Sequence, residues 1–188
     1  MSKEMVQLNT LKPREVICTE SGRKYLVLKQ EEEQTKIISV DFMAECEIFD
    51  SDSPDYKTSA LKKKIETDIQ PLIEADFGSE NVVEHEVDLT TVDMQKDFGS
   101  CTCKVRPITF DEAREHNDLI AKKDLPDWWW TCTPWSTKKR GWSCSLAVVC
   151  PSGYIGSGFC RLSRGVRPVC ILKSNIFVSK GEKSWLKI

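Results

Sequence analysis

The chain has 188 residues, of which 40% are hydrophobic and 30% charged, with a formal net charge of −2. That composition suits one folded domain with a sizeable core. It excludes a helix that spans a bilayer, because no apolar run approaches the ~20 residues such a helix requires. The opening MSKEMVQLNTLKPRE is polar throughout and lacks the apolar stretch of a secretory signal. Cytosolic synthesis and folding are therefore expected, with assembly into a particle as one route out.

Charge is unevenly placed. From Asp127 onward ten Lys and Arg are set against only Asp127 and Glu182, so the residues before them carry the acidic excess. Either the two halves pack together with complementary charge, which is the more economical reading, or a basic face meets an anionic partner. No Lys/Arg-rich run accompanies the asymmetry, so nucleic acid is not an expected partner. The nine Cys lie scattered through strand-like apolar context, which favours reduced, buried thiols over a disulfide framework. Cys101-Thr-Cys103 is C-x-C, no second close pair follows, and His85 and His116 are the only histidines. No metal and no cofactor is expected.

In chain order, Glu15 to Thr19 and Lys24 to Leu28 read as a hairpin around Gly22, followed by strands at Lys36 to Val40 and Glu45 to Phe49 in an antiparallel meander. Behind the helix-start chemistry of Asp50 to Pro54, the positions Leu61, Ile65, Ile69, Leu72 and Ile73 mark one face of a helix over Ser59 to Asp76. Pro71 predicts a kink in it, and Phe77-Gly78 its end. The acidic alternation from Glu80 predicts an extended segment with Val83, Val87 and Leu89 inward. Thr109 and Glu112 have capping-box spacing and start a second helix over Phe110 to Ala121. Glu84/Glu86 and Asp111/Glu112 read as solvated charge, and the two histidines as solvated or capping. The fold class predicted is α+β, with twisted antiparallel sheets and two main helices in one domain over 1–188; residues 1–13 and 179–188 are expected as peripheral tails.

The stretch Asp127 to Leu172 concentrates the chemistry. Trp128, Trp129, Trp130, Trp135 and Trp142 are five of the six Trp in the chain, and the run Ser143 to Leu172 contains no Lys, Glu, Gln, Met or Trp. Gly153, Gly156 and Gly158 mark short strands joined by tight turns, predicted at Ser145 to Val149, Tyr154 to Cys160 and Val166 to Leu172. On a strand Trp128 to Trp130 must alternate between faces, so about half of the Trp set is assigned to the core, with Trp135 and Trp142 the more exposed. Arg167 reads as a structural arginine that binds a carboxylate or carbonyls. No phosphate loop or nucleotide fingerprint is present, and no His follows His116 to serve a nucleophile. Cys150 and Cys160 have a place facing each other on neighbouring strands, most simply as buried thiols. Trp, Tyr and Arg are instead the types that carry interface energy. Alternate strand positions and turn tips then give the candidate contact set: Thr137, Lys138, Lys139, Arg140, Trp142, Cys144, Leu146, Tyr154, Ile155, Ser157, Phe159, Arg161 and Ser163.

Trp129-Trp130, Thr133-Pro134-Trp135, Ser152-Gly153-Tyr154 and Gly165-Val166-Arg167-Pro168 occur in order behind the T-F-D-E-x-R helix. Over roughly Arg14 to Val178 the chain thereby resembles an uncharacterised bacterial and phage domain family with a C-type-lectin-like fold. Its relatives include the variable proteins of diversity-generating retroelements and, more distantly, formylglycine-generating enzymes. The resemblance implies a non-enzymatic module that displays a ligand-binding face near its C-terminus to a protein or surface ligand. Adenine-directed mutagenesis of Asn codons cannot yield Lys, Glu, Gln, Met or Trp, which is what Ser143 to Leu172 lacks. The plainer account, that buried strands and glycine turns avoid Lys and Glu anyway, stands beside it. The other roles open at this point are a phage-encoded inhibitor of a host protein or signal and a Cys-dependent enzyme of the formylglycine-generating type.

Overall fold

The computed structural model describes residues 4–181. In chain order it places β1 (Met5–Gln7), β2 (Val16–Cys18), β3 (Lys24–Gln30), β4 (Gln34–Ser39), β5 (Ala44–Ile48), α1 (Ala60–Lys64), α2 (Gln70–Phe77), β6 (Val82–Val83), β7 (His85–Asp88), β8 (Ser100–Cys103), β9 (Val105–Pro107), α3 (Phe110–Glu115), α4 (Asn117–Ile120), β10 (Trp129–Pro134), β11 (Ser145–Val149), β12 (Ile155–Phe159), β13 (Ser163–Val166), β14 (Pro168–Lys173) and β15 (Phe177–Ser179). Two larger sheets carry the fold. One has the order β2-β3-β4-β14-β6, with β9 also on β14; the other has the order β12-β11-β10-β13-β5. The class is α+β. The second of these sheets is mixed, because β10 pairs with β13 in parallel, while the other pairings are antiparallel.

The N-terminal hairpin forms as predicted, with Gly22 at φ 84 in its turn. The fourth strand of the expected meander goes elsewhere: β5 leaves β4 and pairs with β13. The reason lies at its end, where Phe49 is fully buried beside Trp130, with ring centroids 5.6 Å apart. Of the tail expected at 1–13, residues 1–3 lie outside the described residues and the rest is not peripheral. Leu8 and Leu11 are buried in the core and β1 pairs with β15. Of the tail expected at 179–188, residues 182–188 lie outside the described residues.

The predicted first helix is continuous over α1 and α2, joined by the π-helical turn Ile65–Ile69. Ser59 caps its start by accepting from Lys62 N. Pro71 has no N–H to give and its ring needs room, so the wide turn ahead of it absorbs the defect that the sequence predicts as a kink. The helix stops at Gly78, whose φ of 87 a side chain would strain. The second predicted helix is broken. Thr109 and Glu112 form the full capping box, but His116 at φ −108 and ψ 21 separates α3 from α4.

The central strands of both large sheets are covered on both faces, giving two apolar clusters. The first joins Ile17, Tyr25, Val27 and Ile37 to Trp130, Leu146 and Val148 beneath Leu61, Ile65, Ile69 and Ile73. The second joins Leu26, Leu28, Ile38 and Val169 to Trp129 and Val149 beneath Ala113 and Ile120. Trp129 and Trp130 are both fully buried, on opposite faces of β10, because each face meets its own cluster.

The expected single strand Val166 to Leu172 is two strands in two sheets, and Arg167 is the crossing point. Its guanidinium is buried over the Trp129 ring, 4.8 Å from the centroid, and donates to Ser39 O (3.1 Å) and Ile120 O (2.7 Å). Of the two partners expected for it, carbonyls are the ones it has. Gly165 just before it is required by close approach, since a Cβ there would lie 2.2 Å from the Phe42 ring.

Candidate binding surface on the C-terminal hairpin

The hairpin of β11 and β12 pairs in unbroken register from Ser145↔Phe159 to Val149↔Ile155. Directly opposed residues share a face, so Leu146 and Val148 lie with Gly158 and Gly156 on the Trp130 side. A Cβ on Gly158 would meet Val148 at 3.1 Å, and one on Gly156 would meet Tyr154 and Trp128 at 3.2 and 3.3 Å. The glycines thus let neighbouring side chains lie flat on the strand. The alternate positions Ser157 and Phe159 point outward.

The candidate residues therefore divide. Trp142, Tyr154 and Phe159 are large and exposed, at 41%, 66% and 63%. Lys138, Lys139, Arg140, Ser157, Arg161 and Ser163 are also exposed, and Ile155 is half-buried against the second cluster. Three expectations are corrected. Leu146 is fully buried because its register sets it beside Trp130. Thr137 and Cys144 are buried at 3% and 9%. Trp142 leans on the half-buried Trp135, with centroids 6.5 Å apart, and Tyr154 stands edge-on to Trp128 at 6.0 Å.

Of the eight described Lys and Arg from Asp127 onward, at least four pair with the acidic part of the chain. Lys139 pairs with Asp97, Arg140 with Asp93, Arg161 with Asp52 and Lys180 with Glu15. Each joins the basic part to the acidic part, as the economical reading of the charge asymmetry expects. Composition is likewise partly explained by burial: from Ser143 to Leu172 the exposed large side chains are Tyr154, Phe159, Arg161 and Leu162, and β11 is buried throughout.

Seven of the nine Cys are free thiols, as the sequence predicts for most of them, and two are not. Cys144 and Cys160 form a disulfide across the open end of the hairpin, with Cα atoms 5.4 Å apart. The register that opposes Ser145 to Phe159 places them one step further out as a pair. Cys150, expected near Cys160, sits at the other end in contact with the Ser152 hydroxyl at 2.9 Å. Burial raises its pKa, but that hydroxyl and the amides of Ser152, Tyr154 and Gly153 outweigh it and hold the thiol below its ordinary value. Burial pushes Cys103 up to about 11 and Cys132 up to about 12. Thiol titration of the denatured, unreduced protein is expected to find seven reactive Cys and two more after reduction; nine before reduction would refute the bond.

A polar cavity of about 260 Å³ went unread in the sequence. It is lined among others by Lys36, His85, Arg106, Asp111, Glu112 and Thr133. Glu112, expected as solvated helix charge, is buried and accepts four hydrogen bonds: from Lys36 Nζ (2.6 Å), Arg106 NH1 and NH2 (2.7 and 2.8 Å) and Thr109 N (3.0 Å). Burial pushes its carboxyl up, yet the Arg106 hydrogen bonds and charge, helped by Lys36, hold it well below the usual range. His85, expected as solvated or capping, is half-buried. Its Nε2 faces the Arg106 Nε donor at 3.0 Å, and burial and then the Arg106 charge push it down to about 4. His116 is buried; its Nε2 has no hydrogen-bond partner among the described residues and lies 4.0 Å from Glu115 Oε2. With its lone pairs filled, Glu112 has little left to offer a substrate, and the His85 nitrogen is taken by Arg106. The arrangement ties β4, β7 and β9 to α3. Arg106 between Val105 and Pro107 in an otherwise apolar strand was the signal available for it.

Among the described residues no group of three His, Cys, Asp or Glu side chains is placed to hold a metal, and no helix is long and apolar enough to cross a membrane. No protein-family model matches the chain, and neither a characterised protein nor a solved structure matches it significantly.

Proposed function

We propose that the chain is a binding module of the C-type-lectin-like kind, which engages a protein or surface ligand through the outward face of the β11–β12 hairpin and the turn before it. The observation that carries this reading is the exposure of Trp142, Tyr154 and Phe159 on a segment whose alternate positions are core. Large aromatics left in water cost hydrophobic free energy that a partner recovers, and such residues dominate interface energetics. The disulfide and the flat glycine packing hold the hairpin in one geometry, which lowers the entropy lost on binding.

The test has two arms. The triple variant Trp142→Ala, Tyr154→Ala, Phe159→Ala is expected to shift the thermal transition little, since exposed substitutions each change stability by only about 0.5 kcal/mol. A photo-crosslinking residue at position 159 is expected to trap a ligand from a native extract, while the same residue at the equally exposed Met94 does not. A stability loss of about 3–5 kcal/mol, the scale of a core aromatic truncation, or equal adducts from both positions would refute the reading.

A further inference from the structure

β12 is the last strand of its sheet, and among the described residues no strand pairs with its outer side. The bonds at the two ends of the hairpin set which of its backbone groups point outward. Cys160 N donates to Cys144 O at 3.0 Å and Cys150 N to Tyr154 O at 2.9 Å. Hydrogen-bonded and non-bonded pairs alternate along an antiparallel ladder, so Gly156 and Gly158 bond to β11 while Ile155, Ser157 and Phe159 direct their N–H and C=O groups outward. Of these, Phe159 O is taken by Leu162 N at 3.0 Å.

Exposed edges normally carry a guard, such as a charge, a proline, a bulge or a covering segment. Other edges here have one. β5, at the far side of the same sheet, carries Glu45, Glu47, a shifted register and Cys46 at φ 58. β2 is covered by the Ile17↔Lys180 bridge and by Gly181 N donating to Val16 O. The sequence of β12, Ile-Gly-Ser-Gly-Phe, has no charge and no proline, and its register is unbroken.

Resting on the binding-surface reading above, we propose that the hairpin takes its partner by strand addition: an uncharged, extended segment of another protein pairs with the outer edge of β12 and sets an apolar side chain against Phe159. The charges flanking the edge favour an uncharged segment, because Arg161 and Arg164 are already paired with Asp52 and Asp127. Size favours a segment over a second copy. Five residues span only about 17 Å, an edge too short to bury by itself the ~1,200–2,000 Å² of a stable interface between folded proteins.

The experiment uses immobilised nine-residue uncharged peptides with apolar residues at alternate positions, beside the same peptides with two Lys inserted. The intact chain is expected to retain the alternating set. Ser157→Pro removes only an outward N–H, so at least a tenfold loss of retention with an unchanged thermal transition is expected. Ser157→Lys, which leaves the ladder whole, provides the same block if the proline variant fails to fold. No retention by the intact chain, or equal retention by the Ser157 variants, overturns strand addition. A ligand cross-linked from position 159 that survives Ser157→Lys but is lost on Tyr154→Ala and Phe159→Ala overturns strand addition alone and leaves the surface reading standing. A dimer in sedimentation that Ser157→Lys abolishes would make the occupant a second copy and overturn the proposal.

Discussion

Replacing Glu112 by alanine is expected to destabilise the fold by about 3–5 kcal/mol, the cost of breaking a buried ion pair from one side. Arg106 is only 3% exposed, and the change takes away both of its charged hydrogen bonds to Glu112, leaving it Pro107 O and His85 Nε2. The same change deletes half of the capping box that starts α3. Urea unfolding should show the midpoint falling sharply at unchanged slope. The double variant Arg106→Met, Glu112→Met should recover much of the loss, since it removes both fully buried charges and leaves only the half-buried Lys36 ammonium, which can reach water. A single-variant loss below about 1 kcal/mol, the range of an exposed pair, would show that this network is hydrated.

The same network sets the acid sensitivity. Folding depresses both Glu112 and His85, so the unfolded chain binds their protons more readily and the stability each contributes is lost as pH falls. For His85 the contribution is complete above its ordinary value of 6.5 and is lost on going down to about 4. The loss is about 3 kcal/mol in all, at about 1.4 kcal/mol per pH unit. Glu112 adds its own loss below its ordinary 4.5. His85→Gln, which keeps an acceptor for Arg106, should flatten the stability profile between pH 6.5 and 4. An unchanged profile would place the acid sensitivity elsewhere.

Trp130→Ala is expected to cost about 3–5 kcal/mol, the range for truncating a buried aromatic. The indole is fully buried, packs edge-on to Phe49 and donates from Nε1 to Glu47 O at 2.7 Å. That bond ties β10 to β5, so amide exchange in Ala44–Ile48 should accelerate along with the global loss. Phe159→Ala, on the same hairpin system, should move the unfolding midpoint little. Equal losses from the two variants would show that Phe159 is core, and the proposed binding surface would fall with it.

Local chemistry in the sequence determined the elements whose cause is local. The first helix, its Ser59 cap and its Gly78 stop, the Thr109/Glu112 capping box, the Gly22 hairpin and the strand–turn rhythm around Gly153 to Gly158 depend on spacing within a few residues, and spacing is what a sequence displays. Exposure of Phe159 followed from alternation along its strand, and that of Trp142 and Tyr154 from their place in turns. Only the tertiary structure decided which sheet received each strand. β5 left the meander because Phe49 is buried against Trp130, more than eighty positions away, and Val166 to Leu172 divided between two sheets at Arg167. Burial of Leu146, the Cys144–Cys160 bond and the carbonyl ligands of Arg167 depend on that long-range register. So does the union of Lys36, His85, Arg106 and Glu112 from four elements. A strand displays its own alternation but not the number of its faces that will be covered, and coverage on both faces turned an expected outward Leu146 into core.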